Sequence, residues 1–221
     1  MYKKIMIKHI LSSLCVMISL TSCASNTTHE NKEKPVETTK KPTNMDSKKI
    51  VVFFSHTGEN YNVGYIEKGN TAIIADMIAD VTGADQFEII PEKAYPVNYN
   101  ECIEVAQQEK RANARPAVKG DVAIENYDVI FLGYPNWWGE VPMCVYTFIE
   151  KHNWNGKTVI PFITHEGSGM SGTDRKIAAA AAGSNTLVGK GLVVQGKVAQ
   201  GNQNAAKKKV ASWLSGLGFT K

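Results

Sequence analysis

The sequence predicts an α/β protein built on a doubly wound parallel sheet with helices on both faces. Short apolar segments alternate with longer segments of helical periodicity from residue 48 to residue 221. The first apolar segment, residues 49–54, is nearly all Ile, Val and Phe, which is typical of a strand buried on both faces. The composition, 43% hydrophobic and 21% charged, fits an ordinary globular domain and excludes disordered and fibrous classes.

Five β–α units account for the order of the predicted elements. The strands are predicted at residues 49–54, 85–90, 127–133, 158–164 and 192–195, and the helices at residues 70–81, 100–112, 142–152, 173–182 and 205–214. The helix at residues 100–112 lies in a charged segment where a partner could dock, but we expect it to cover the sheet with a solvated outer face. Because doubly wound sheets bind ligands at the carboxyl ends of their strands, the site is expected in the strand-to-helix loops.

The N-terminus predicts export. Lys3, Lys4 and Lys8 precede an apolar run at residues 10–20, which is the order found in signal peptides. The run is shorter than the ~20 residues that a membrane-spanning helix needs. The segment Leu20-Thr21-Ser22-Cys23 resembles the lipobox of bacterial lipoproteins, which implies that a diacylglyceryl group is attached to Cys23. The alternative is a plain secreted protein in which Cys23 is incidental.

The predicted organisation has three parts. Residues 1–22 form a lipoprotein signal peptide, residues 23–47 a lipidated cysteine and a disordered tether, and residues 48–221 the folded domain. The tether is rich in Asn, Thr, Lys, Glu and Pro, a composition that cannot bury enough apolar surface to fold. We therefore expect the domain to be held by its lipid on the extracytoplasmic side of the bacterial cell membrane.

The charge distribution argues against nucleic-acid binding, and the cysteines argue against a metal site. The formal net charge is +4, but the first 49 residues hold nine of the 25 basic and four of the 21 acidic residues, leaving a net charge of −1 beyond them. Nucleic-acid binding is therefore not expected. Cys102 and Cys144 are the cysteines of the folded part. One disulfide between them is possible in an exported domain, but neither their spacing nor a neighbouring His indicates a metal or redox pair, so we expect two buried, unpaired thiols and no metal.

The first of three unusual loops follows the first strand. It begins Ser55-His56-Thr57-Gly58-Glu59-Asn60, continues through a tyrosine-rich insert and ends Gly69-Asn70-Thr71 where a helix begins. Hydroxyls and unpaired N–H groups at a helix N-terminus favour a phosphate. The loop lacks both Gly-x-Gly-x-x-Gly and Gly-Lys-Ser/Thr, which excludes dinucleotide-fingerprint and P-loop sites. The alternative is that Asn70 or Thr71 only caps the helix.

The second loop, residues 134–142, carries Trp137 and Trp138 side by side. Adjacent residues cannot both face one core, so at least one indole is predicted to pack against a flat aromatic ligand. The alternative is that both indoles close the end of the core. Pro135, Gly139 and Pro142 stiffen or bend this loop.

The third loop, residues 164–172, is glycine-rich and could hydrogen-bond to a polar ring edge. It contains His165, Ser168 and Ser171. The motif Gly-x-Ser-x-Gly needs glycine two residues before and two residues after the serine, and neither serine has both, so we do not expect a hydrolase.

Together these motifs resemble the flavodoxin family. The residues that carry the resemblance are Val51-Val52-Phe53-Phe54-Ser55, Gly69-Asn70-Thr71 and Gly133-Tyr134-Pro135-Asn136-Trp137-Trp138-Gly139, and it covers residues 48–221. The resemblance implies bound FMN, the strand order 2-1-3-4-5, a phosphate in the first loop and the isoalloxazine ring between the second and third loops. By position, the resemblance implies that the phosphate is held by Ser55, Thr57, Asn70 and Thr71. Trp137 or Trp138 would stack on the flavin, and its other edge would be lined by Thr164, Gly167 and Ser168. The remaining implied cofactor-binding positions are Gly58, Pro135, Asn136, Gly139 and His165.

Two departures from the family pattern leave questions open. The insert interrupts a loop that is usually continuous, so either Thr57 or the Asn70-Thr71 pair would make the closer phosphate contacts. The third loop lacks the tyrosine that covers the outer flavin face in many flavodoxins, so His165, the second tryptophan or no residue would cover it.

The resemblance implies an electron carrier without catalytic residues of its own, whose partners are redox proteins or small electron acceptors. One alternative is an FMN-dependent oxidoreductase that passes hydride from NAD(P)H to a quinone or another small acceptor, but the sequence shows no second nucleotide site. Another alternative is a flavin-free binding module. If Glu140 or Glu166 lies near the ring, its charge would lower the flavin reduction potential.

Overall fold

The computed structural model describes residues 46–220. The predicted signal peptide, the lipid site at Cys23 and all but the last two residues of the predicted tether lie outside the described residues. Within residues 46–220, no helix is both long and apolar enough to cross a membrane.

The described chain contains ten strands and six α-helices, together with a 3-10 turn at Ile124–Asn126. The strands are β1 Lys49–Phe53, β2 Gly58–Asn60, β3 Gly64–Ile66, β4 Asp85–Glu88, β5 Ile90–Pro91, β6 Val118–Lys119, β7 Val129–Pro135, β8 Thr158–His165, β9 Asn185–Thr186 and β10 Leu192–Gln195. The helices are α1 Asn70–Thr82, α2 Tyr99–Ala112, α3 Met143–Glu150, α4 Thr173–Ala180, α5 Gly196–Gly201 and α6 Gln203–Gly216.

The central sheet is parallel, with the strand order β4-β1-β7-β8-β10. Numbered along the chain, these five strands give the order 2-1-3-4-5, which confirms the predicted fold. The fifth position is shared, because β9 pairs with the start of β8 and β10 pairs with its end. The sequence predicted only β10 of this pair.

Helices cover both faces of the sheet, as predicted. Alternate residues of β1 belong to opposite cores, since successive strand side chains point to opposite faces. Val51 and Phe53 pack in one core with residues of α1, α5 and α6. Ile50 and Val52 pack in the other core with residues of α3 and α4. A strand buried on both faces explains why β1 is almost entirely apolar.

The register brings three loops to one edge of the sheet. Phe53 lies opposite Gly133, Pro135 lies opposite Thr164, and His165 lies opposite Gln195. The strands β1, β7, β8 and β10 therefore end at the same edge. The loops after β1, β7 and β8, which the sequence selects as the place for a site, begin there together.

Some elements were not predicted. The insert in the first loop forms an antiparallel hairpin of β2 and β3, and β5 pairs with β6 in a second small antiparallel sheet. Helix α5 was also missed. The third main strand begins at Val129 rather than at residue 127, because the Tyr127 N–H donates to Ile124 O and closes the 3-10 turn.

Candidate functional site

A cavity of about 260 Å³ lies at the carboxyl edge of the sheet. Its walls come from the first loop with the β2–β3 hairpin, the start of α1, the inner face of α2, and the loops after β7 and β8. The lining residues are His56, Glu59, Asn60, Tyr61, Asn70, Tyr99, Cys102, Ile103, Ala106, Pro135, Asn136, Trp137, Trp138, Thr164, His165, Glu166 and Ser168. Eight of the fourteen positions predicted to bind a cofactor are therefore in the lining.

The first loop lies against the start of α1. The Ser55 hydroxyl accepts a hydrogen bond from the Ala72 N–H at 3.0 Å. This approach requires glycine at residue 69, because a Cβ there would lie 2.2 Å from Ser55 Oγ and 2.6 Å from His56 O. Because the first N–H groups of a helix have no intrahelical acceptors, the start of α1 can offer donors to an anion beside the Ser55 hydroxyl.

Asn70 and Thr71 occupy different environments at this helix start. Asn70 lines the cavity, and its Oδ1 accepts from Gln200 Nε2 at 2.9 Å. Thr71 is buried, and its hydroxyl lies 2.8 Å from the hydroxyl of Thr164, which joins α1 to the end of β8. Thr71 therefore holds the hydroxyl of the lining residue Thr164 in position through this hydrogen bond.

Thr57 and Gly58 lie outside the cavity lining. Thr57 is exposed, and Gly58 opens β2 with a φ of +91°. A Cβ at residue 58 would lie 2.8 Å from the backbone oxygen of Val97. Gly58 thus allows the hairpin to approach the segment before α2. Of the two phosphate alternatives in the first loop, Asn70 rather than Thr57 borders the cavity.

Helix α2 forms a wall of the cavity that sequence reasoning missed. Cys102, Ile103 and Ala106 line the cavity, while Glu101, Glu104 and Arg111 of the same helix are exposed. The sequence marks this wall by an apolar stripe at these positions, but the stripe was expected to pack on the sheet. The stripe instead faces the cavity.

The second loop contains a tight two-residue turn. Trp138 and Gly139 have φ values of 58° and 67°, and Trp137 and Glu140 exchange two backbone hydrogen bonds of 3.2 and 3.0 Å. Positive φ at both central positions is the geometry of a type I′ turn. The turn explains the predicted need for Gly139 and fixes both indoles relative to β7.

The two tryptophans have different surroundings. Trp137 makes edge contacts with Phe54, His56 and Tyr95, with ring centroids 5.3, 5.7 and 4.9 Å away. Trp138 is 49% exposed, and its Nε1 donates to Ile103 O of α2. Trp137 therefore closes the end of a core, while Trp138 leaves that core, and both line the cavity.

Asn136 joins the second loop to the third. Its Oδ1 accepts from the Gly139 N–H at 3.0 Å, and its Nδ2 donates to Gly169 O at 2.7 Å. One amide side chain thereby holds the tryptophan turn and the glycine-rich loop at a fixed separation.

The third loop is organised around His165. The N–H groups of Gly167 and Gly169 donate to His165 Nδ1 at 2.8 and 3.0 Å. Burial lowers the pKa of His165, so the ring is neutral near pH 7 and carries its proton on Nε2. Since His165 borders the cavity, this ring can offer an N–H donor there. Gly167 shapes the loop, with a φ of +125°, and is not itself in the lining.

His56 is a second neutral imidazole at the cavity. Its Nε2 lies 3.1 Å from Pro96 O, and burial lowers its pKa. The two histidines therefore add hydrogen-bonding groups rather than positive charge at neutral pH.

The two carboxylates that the sequence selects are placed differently. Glu166 borders the cavity, and its Oε1 accepts from the Lys197 N–H of α5 at 2.8 Å. Glu140 lies outside the lining and pairs with Lys176 at 2.6 Å. Burial alone would raise the pKa of Glu140, but Lys176, the Val141 N–H and the Tyr146 hydroxyl together lower it. Glu166 is thus the carboxylate of this pair that can influence a bound ligand.

Cys102 and Cys144 are both buried and unpaired. Burial raises the pKa of each thiol to about 12, so both are protonated at neutral pH. Within the described part of the chain, no group of three or more His, Cys, Asp or Glu side chains is arranged to hold a metal ion.

Comparison with known proteins identifies the family. The flavodoxin family matches residues 48–216. A provisionally assigned flavoprotein from Bacteroides eggerthii is 28% identical with a TM-score of 0.60, covering 79% of this chain and 99% of that chain. A second such protein, from Bacteroides uniformis, is also 28% identical, with a TM-score of 0.59 and coverage of 74% and 97%. A flavoprotein from Lactobacillus acidophilus, solved in complex with FMN, is 19% identical with a TM-score of 0.55 and coverage of 76% and 98%. No curated protein matches the sequence. Because the family match spans most of the chain and agrees with the observed strand order, the chain belongs to the flavodoxin family.

Proposed function

We propose that this protein binds FMN in the cavity at the carboxyl edge and acts as an electron carrier. The observation that carries the proposal is the cavity itself, in which the ends of β1, β7 and β8, the start of α1 and two indoles converge. Membership of the flavodoxin family supports FMN as the ligand. The Lactobacillus flavoprotein, which shares the fold, was solved in complex with FMN.

The side chains present fit the two chemically distinct parts of FMN. The phosphate would lie at the start of α1, where backbone N–H groups, the helix dipole and the Ser55 and Asn70 side chains favour an anion. The isoalloxazine ring would enter the cavity beside Trp137 and Trp138, which offer flat apolar surface. The neutral His165 ring and the Thr164 hydroxyl would supply hydrogen bonds to its polar edge.

Bound FMN would supply the redox chemistry, since it accepts and releases electrons. The protein would orient the ring and adjust its potential through stacking, hydrogen bonds and charge. Glu59 and Glu166 are the carboxylates in the cavity lining, and a negative charge close to the ring would disfavour its reduced anionic form. The sequence shows no second nucleotide-binding motif, so a carrier is favoured over an NAD(P)H oxidoreductase.

Membrane attachment through Cys23 is a further part of the proposal. It is supported by the lipobox-like segment at residues 20–23 and the signal-like sequence before it. The carrier would then work on the extracytoplasmic side and exchange electrons with redox proteins or small acceptors. Cys23→Ala should move the protein from the membrane fraction to the soluble fraction and abolish incorporation of labelled fatty acid. Membrane retention of the variant would contradict lipid attachment.

The redox function is tested on the full-length protein in detergent. The protein is mixed with FMN, freed of unbound flavin and kept without oxygen. We expect dithionite to bleach the bound flavin and ferricyanide to restore its colour, while NADH or NADPH alone has no effect. Rapid bleaching by NADH or NADPH would overturn the carrier in favour of an oxidoreductase. A protein that stays colourless with added FMN would overturn both in favour of a flavin-free module.

A further inference from the structure

The tyrosine-rich insert contributes an aromatic side chain to the cavity. Tyr61 connects β2 to β3 and borders the cavity, yet its side chain is 57% exposed. Tyr65 lies on β3 of the same hairpin and is 67% exposed, but it is not in the cavity lining. One hairpin thus holds two exposed tyrosines, of which only the first faces the site.

The hairpin is fixed against the start of α2 by several hydrogen bonds. The Glu59 carboxylate accepts from Asn98 Nδ2 and from the Tyr99 N–H, both at 2.9 Å. The Glu59 N–H donates to Val97 O at 2.9 Å, and Gly58 allows the close approach of the two backbones. The position of Tyr61 is therefore set by contacts that do not involve its own ring.

Tyr61 is also backed by a second aromatic ring. Tyr99, the first residue of α2, lies with its ring centroid 6.0 Å from that of Tyr61 and an interplanar angle of 27°. Stacking on Tyr99 leaves more than half of the Tyr61 side chain in water. Burial of that remaining surface against a flat aromatic ligand would be favourable.

We propose that Tyr61, supported by Tyr99, forms a second aromatic wall of the site and stacks on the ring of bound flavin. This inference rests on the proposed FMN binding and answers which residue covers the face that the third loop leaves without a tyrosine. The stacking partner comes from the insert in the first loop. It binds the isoalloxazine ring and makes no contact with the phosphate.

The test compares Tyr61→Ala, Tyr61→Phe and Tyr65→Ala with the unchanged full-length protein. Each is titrated with FMN and with riboflavin, which has the same ring and lacks the phosphate. Tyr61→Ala should weaken the binding of both ligands by the same factor, about 10-fold. Tyr61→Phe keeps the ring and should bind within about 2-fold of the unchanged protein. Tyr65→Ala is the matched control for the hairpin and should also bind normally.

Three results would overturn the inference. If the unchanged protein does not bind FMN, the proposed function fails together with it. If the unchanged protein binds FMN and Tyr61→Ala binds equally well, only the role of Tyr61 fails. If Tyr61→Ala and Tyr65→Ala weaken binding equally, the effect arises from the fold of the hairpin, and stacking by Tyr61 is excluded. Circular dichroism and thermal unfolding establish that each variant is folded.

Discussion

The hydroxyl pair of Thr71 and Thr164 should make a measurable contribution to stability. The side chains are 1% and 2% exposed, and their oxygens are 2.8 Å apart. Thr71→Val keeps the side-chain shape but removes the partner of the Thr164 hydroxyl. Leaving one buried polar group unsatisfied costs about 1–3 kcal/mol. For a domain of this size, 1 kcal/mol lowers Tm by about 2–4 °C, so the expected fall is about 2–12 °C.

The double variant Thr71→Val with Thr164→Val separates the hydrogen bond from other effects. Replacing both hydroxyls removes both buried polar groups, so the double variant should lose about 1–2 kcal/mol less than the sum of the single variants. Thr57→Val is the matched control, because this exposed threonine of the same loop should change stability by less than about 0.5 kcal/mol. Denaturant unfolding provides the free energies. Unchanged single variants, or strictly additive losses, would refute a direct bond between the two hydroxyls.

Three further predictions follow from close contacts and from titration. Burial holds the pKa of His165 below its unfolded value, so the folded state binds fewer protons and stability falls as the pH drops below about 6.5. His165→Asn removes this titration and should lose less Tm than the unchanged protein between about pH 7 and pH 5, and an identical loss would contradict the burial of that ring. Gly133→Ala places a Cβ 2.0 Å from the Phe162 ring. It should lower the free energy of unfolding by about 1–3 kcal/mol in denaturant unfolding. Unchanged stability would show that Phe162 can move to accommodate the methyl group. Gly69→Ala forces Ser55 away from the start of α1 and should weaken FMN binding about 10-fold while changing riboflavin binding little, and equal losses for both ligands would argue against a phosphate at this position.

Much of the sheet could be predicted from the sequence because its signals are local. The Ile, Val and Phe run of β1 marks a strand covered on both faces, and β10 has the predicted bounds. The strand order came from the resemblance of the loops to a known family. The doubly wound topology predicted that the strand-to-helix loops share one edge, and the structure places Ser55, Asn70, both tryptophans and His165 there.

The parts that sequence reasoning missed depend on contacts between distant residues. The hairpin at residues 58–66 has little apolar alternation, and its position is set by Glu59 and Gly58 against the segment before α2. The bond between Thr71 and Thr164 joins positions 93 residues apart, so no local pattern marks it. Helix α2 carries an apolar stripe that suits either a sheet or a cavity, and only the packed fold distinguishes the two.

A visible absorption titration of the full-length protein with FMN tests whether the cavity at the carboxyl edge binds this cofactor. We expect saturable one-to-one binding with a Kd of about 1 μM or lower. We also expect flavin bands at roughly 370 and 450 nm that are shifted from those of free FMN, because the ring leaves water and stacks on aromatic side chains. A spectrum equal to the sum of free FMN and protein at every ratio would contradict FMN binding, leaving the fold intact and the redox function without a cofactor.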